Sequence, residues 1–161
     1  GPVPLHGKVS QYHHYHYHHN HSVASLGMSL VTILDQLRIP RVVLVAEAAG
    51  ANIAVRFAAN HPKRVSGLVV TNIKHAAASF PAKLKKMKKF LNTDMNPKNV
   101  AKFEASYKTR DEILTLFSAS LTKDILIVSG ADNSACSKAA DEILAVMPAG
   151  LCSILKVIII I

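Results

Sequence analysis

Short apolar runs alternate with helical periodicities along the chain. Val42 to Val45 and Gly67 to Thr71 are almost unbroken apolar and β-branched runs, and neither has the polar alternation of a half-exposed strand. Both therefore predict buried parallel strands. Between them, Ile53 and Phe57 share a helical stripe over 52–59 with Arg56 turned away, and Asn60-His61-Pro62 stops the helix. Strand, helix and strand within about 30 residues make a βαβ unit. Upstream, Ser22 caps a predicted helix whose Val23, Leu26, Leu30, Ile33, Leu34 and Leu37 recur at three- and four-residue steps and face the sheet. Downstream, Asn96-Pro97 opens a helix striped by Val100, Phe103 and Tyr107. Residues 111–121 supply another helix with Ile113, Leu114, Leu116 and Phe117. A strand over 125–129, a helix over 134–147 and a strand over 152–161 complete the pattern.

The turn inside the βαβ unit carries the functional question. A nucleophile elbow is written G-x-S-x-G, because small residues two places either side of the nucleophile permit a strained strand-to-helix turn. Here the frame is Ala46, Glu47, Ala48, Ala49 and Gly50. The small residues are present, but Ala48 has no hydroxyl, thiol or carboxylate and cannot form an acyl-enzyme.

Around this frame the chain resembles the N-myc downstream-regulated family. The matching residues are Ala49-Gly50-Ala51-Asn52-Ile53, Arg56-Phe57-Ala58, Asn60-His61-Pro62, Val65, Gly67-Leu68-Val69 and Asn72-Ile73, with fainter echoes at Ser106-Tyr107, Arg110 and Ile125 to Gly130. The resemblance implies an α/β fold, a three-layer α/β-hydrolase-like arrangement with a mostly parallel sheet and a helical cap segment. The chain corresponds to the C-terminal half of that fold. On this reading residues 1–21 are a His-rich segment and 22–161 the domain, with 73–121 as the cap insertion. The resemblance also implies a non-catalytic protein acting in stress response, differentiation or trafficking through protein contacts, in the cytoplasm and without a cofactor.

Composition narrows the partners. The chain has 161 residues, half of them apolar, which suffices for one core. Nineteen Lys and Arg against ten Asp and Glu give a net charge of +9 and favour an anionic partner. Two cysteines, Cys136 and Cys152, suit free thiols in a reducing compartment. Lys83, Lys85, Lys86, Lys88 and Lys89 surround Leu84, Met87, Phe90 and Leu91, a basic amphipathic helix that could meet anionic phospholipid or cover the old active-site mouth. Without interleaved aromatics or a reading motif, nucleic acid is not an expected partner. His13, His14, His16, His18 and His19 form a tract that can bind metal weakly, but no Cys, Asp or Glu lies among them to complete a shaped site.

The triad is missing more than its nucleophile. Asp132, after the third strand, stands where a hydrolase keeps its acid, as a vestige or as the cap of the next helix. No histidine follows His75, and the oxyanion-hole segment is expected upstream of residue 1. Loss of triad members costs on the order of a million-fold in rate. The alternative is an esterase-like enzyme, or a fragment of one, using Glu47 and Asp132 as acid and base at the carboxyl ends of strands. With four strands encoded, the strand at Val42 should be an exposed apolar edge, which predicts pairing with a second copy or with a missing segment.

Overall fold

In the computed structural model, residues 22–76 and 96–158 are described. Four strands, β1 (Val42–Glu47), β2 (Val65–Thr71), β3 (Ile125–Gly130) and β4 (Cys152–Val157), form one parallel sheet in the order β1-β2-β3-β4. Helix α1 (Val23–Gln36) precedes the sheet and α2 (Ala48–Asn60) joins β1 to β2. Helices α3 (Pro97–Lys108) and α4 (Leu114–Ala119) lie between β2 and β3, and α5 (Ser134–Val146) joins β3 to β4. Each connection steps one strand in the same direction, so right-handed crossovers place their helices on one face of the sheet.

Burial follows this one-sidedness. Leu68, Val70, Ile125 and Ile127 point into the helical layer and are buried, meeting Phe57 of α2, Ile113 and Phe117 at α4 and Ile143 of α5 in a single core. On the opposite face Val43, Val45, Leu155 and Val157 are exposed, Val45 at 74%. The described residues thus supply the sheet and one helical layer. β1 lies at the sheet's edge, as expected.

The helix starts obey local chemistry. Ser22 accepts from the Ser25 amide, Asn96 from the Lys98 amide, and Asn133 from the Cys136 amide, each taking up a first-turn donor that has no partner inside its helix. Asn133, not Asp132, therefore caps α5, which corrects the capping role read from the sequence. A second correction concerns α1. It packs on α2 rather than on the sheet, with Gly27 over the backbone of Ile53 and Phe57. Ile33 and Leu37 are consequently exposed, because only the Val23–Gly27–Leu34 side of the helix is covered. The Arg64 fork closes the α1–β1 loop, donating to the carbonyls of Ile39 and Pro40 and to Asp35.

Candidate functional site

β1 ends at Glu47 and α2 begins at Ala48 with no residue between them. To make that reversal Ala48 takes φ +50°, a left-handed conformation that costs a residue with a Cβ about 1–2 kcal/mol. This is the strand-turn-helix geometry that lifts one side chain above the carboxyl ends of the strands, and here the lifted group is a methyl. Ala46 and Ala49 flank it, partly buried. Gly50 lies in the first turn of α2, and a Cβ there would meet nothing within 4 Å among the described residues. The strain of the turn is concentrated at residue 48.

A buried polar network underlies the bend. Asn52, one turn beyond Ala48, is completely buried. Its Nδ2 donates to the carbonyl of Lys74 at 3.2 Å and, more weakly, to that of Ala48 at 3.5 Å. Its Oδ1 accepts from Nε of Arg110 at 3.0 Å. The Arg110 guanidinium, 7% exposed, also donates to the carbonyls of Tyr107 and Ala76, both at 2.6 Å, and lies over the Tyr107 ring at 3.8 Å. Among the described residues no carboxylate pairs with it, so carbonyl dipoles and a ring face compensate the charge. Burial draws the Arg110 guanidinium below its ordinary pKa, with the Tyr107 ring acting against that shift, and burial raises the Tyr107 phenol. Arg56, expected to turn away from the core, instead reaches the Asp111 carbonyl at 2.7 Å with its Nε buried.

The strand ends are tied together by Asn72, itself at φ +49°. Its Nδ2 donates to Glu47 Oε1 at 3.3 Å, its amide donates to the Val128 carbonyl, and its carbonyl accepts from Cys136 Sγ at 3.4 Å. Burial pushes the Cys136 thiol up, against Lys74 and an Asn133 hydrogen bond, so it stays a donor. Both cysteines are free. Next along, His75 bridges two carboxylates: Nδ1 meets Glu112 Oε1 at 2.9 Å and Nε2 meets Glu142 Oε2. The His75 hydrogen bond holds the Glu142 carboxyl below its ordinary range. This histidine is engaged on both nitrogens. Glu47 and Asp132 are exposed, and Glu47 is held by Asn72 rather than by Asp132.

Comparison with known proteins now bears on this geometry. Residues 13–88, which contain the elbow, Asn52 and Asn72, match the family model described as the Ndr family. Over that stretch, just under half of the chain, the sequence is similar to the Ndr family. An uncharacterized protein of Caenorhabditis elegans is 24% identical, over 68% of this chain and 44% of its own length. Among solved structures, an α/β-hydrolase from a Medee basin deep-sea metagenome library superposes at TM-score 0.69 with 14% identity, covering 88% of this chain and 65% of that one. The esterase of Exiguobacterium antarcticum gives TM-score 0.67 with 13% identity, covering 85% and 65%. A carboxylesterase of Nitrososphaera gargenis gives 0.65 with 14%, covering 84% and 63%. The fold is that of the α/β-hydrolases. This chain spans less than half of the worm relative and under two thirds of each of these structures.

The remaining candidates fall elsewhere. His13, His14, His16, His18 and His19, and Lys83, Lys85, Lys86, Lys88 and Lys89, lie outside the described residues. Among the described residues no group of three or more His, Cys, Asp or Glu could hold a metal, and no helix is long and apolar enough to cross a membrane. Sequence reasoning named Asn52, Asn72 and Arg110 only as points of resemblance and missed the hydrogen bonds they make beside the elbow. The available signal was an Asn one turn into the elbow helix and another closing a strand, where Asn tolerates left-handed backbone.

Two outcomes follow from this site. Ala48→Gly should raise stability by about 0.5–1 kcal/mol in urea unfolding, since relief of the left-handed strain exceeds the entropy glycine returns to the unfolded chain; a loss of stability would mean the turn is not strained. Arg110→Leu should cost about 3–5 kcal/mol, because Asn52 Oδ1 and two carbonyls lose their donor in a buried place. A cost under about 1 kcal/mol in the same assay would show that the network does not hold the bend.

Proposed function

We propose that this chain is a non-enzymatic α/β-hydrolase-like adaptor that works through protein contacts. The observation that carries the reading is the alanine at the tip of a strained elbow: the bend used to present a nucleophile is present, and the atom it would present is absent. The nearby His75 is bound to Glu112 and Glu142, so it supplies no base at the tip. In this reading the protein serves cytoplasmic signalling in stress response or differentiation. Lys83, Lys85, Lys86, Lys88 and Lys89 are the residues that would meet anionic phospholipid. With p-nitrophenyl esters of short and medium chain, wild type should release nitrophenol no faster than buffer. A rate above buffer that falls in Glu47→Gln or Asp132→Ala would instead establish the alternative, an esterase-like enzyme using those carboxylates. The α/β-hydrolase neighbours keep that reading in view.

The open edge supports self-association as one such contact. Among the described residues β1 has a partner on one side only, and its outward Val43 and Val45 are 61% and 74% exposed, the form of edge that invites pairing. Light scattering should report a dimer for wild type and a monomer for Val45→Lys, which places a charge on that strand. A wild-type monomer at high concentration would end the dimer reading while leaving the ester result unaffected.

A further inference from the structure

Arg56 and Arg110 stand together with no carboxylate paired to either among the described residues. They line a cavity of about 130 Å³ between the start of α1, the middle of α2 and the end of α3, together with Ser22, Val23, Ser106 and Asp111. Two guanidiniums brought close repel each other unless an anion lies between them. Arg56 spends one donor on the Asp111 carbonyl, and its buried Nε has no partner. Arg110 donates to Asn52, Tyr107, Ala76 and, more weakly at 3.4 Å, to the Lys74 carbonyl, and through the second hydrogen on the nitrogen facing Tyr107 retains one donor. The Asp111 carboxylate also borders the cavity, but its side chain is exposed and bonded to neither arginine among the described residues. At the start of α1 the Val23 amide is already taken by Ser106 Oγ at 2.9 Å, so the arginines and not the helix terminus carry the site.

We propose that this cavity is a binding site for a small tetrahedral oxyanion of the phosphomonoester class. Arginine forks match phosphate oxygens in a way that lysine does not. A group with several oxygens can meet the terminal nitrogens of Arg56, which keep donors beyond the one given to Asp111, and the spare Arg110 donor together, which a two-oxygen carboxylate between the same residues does less well. The volume is far below the roughly 300 Å³ at which clefts take drug-sized ligands, so the site admits a head group rather than a whole nucleotide. The proposal is independent of whether the chain hydrolyses esters or pairs with itself.

Isothermal titration of the whole chain with inorganic phosphate, and in parallel with acetate, tests it. One saturable phosphate site is expected, at least tenfold weaker in Arg56→Gln, of intermediate strength in Arg56→Lys, and unchanged in Lys98→Gln on the exposed side of α3. Arg56 is partly exposed, so both variants should fold, as a wild-type far-ultraviolet spectrum would show. Absence of saturable phosphate binding, an affinity untouched by Arg56→Gln, or acetate bound as tightly as phosphate each overturns the proposal.

Discussion

One buried guanidinium holds the functional end of this molecule together. Arg110 lies just beyond α3, yet its donors reach α2 through Asn52, the segment after β2 through Ala76, and its own helix end through Tyr107. Burying a cation is expensive unless its donors find acceptors, and four of the five on Arg110 do. Here the acceptors come from three separate pieces of chain, so satisfying the charge requires those pieces to be in register. Asn52 extends the constraint to the Lys74 and Ala48 carbonyls, placing the strained elbow within the same connected set. A network of this kind rewards one arrangement and penalises near misses.

A strained elbow at an alanine has a use in packing. Ala48 must reverse the chain between a buried strand and a buried helix with no loop residue to share the turn. A left-handed residue there costs about 1–2 kcal/mol. The Ala51, Ala54, Val55, Phe57 and Ala58 side of α2 enters the core as a direct consequence. Burial of a side chain the size of Phe57 contributes roughly 1.5–3 kcal/mol, so the packing obtained by the sharp turn outweighs its strain. The geometry is therefore held although the elbow carries only a methyl.

The sheet presents two unlike faces. Every crossover lands on one side, leaving Val43, Val45, Leu155 and Val157 on the other, with β1 as an open edge. Parallel sheets are normally covered on both faces. The longer relatives, of which this chain spans 44% to 65%, have the additional chain to do so.

Periodicity in the sequence was enough to place the strands and the major helices, because strands of a parallel sheet are nearly all apolar when both faces are to be covered and helices repeat their apolar residues every three to four positions, although Val43 and Val45, expected to be buried, are exposed. The elbow frame around Ala48 was legible for the same local reason: small residues at fixed spacing and no nucleophile between them. What could not be read was which polar side chains meet across the fold. Arg56 and Arg110 are 54 positions apart, and Asn52 and Arg110 are 58 apart, so their juxtaposition depends on how α1, α2 and α3 pack rather than on any local pattern. The resting place of α1 on α2, the bridging of Glu112 and Glu142 by His75, and the cap supplied by Asn133 instead of Asp132 were likewise settled by tertiary packing. A hydrogen bond needs its partners within about 3 Å, and only the folded chain decides which groups come that close.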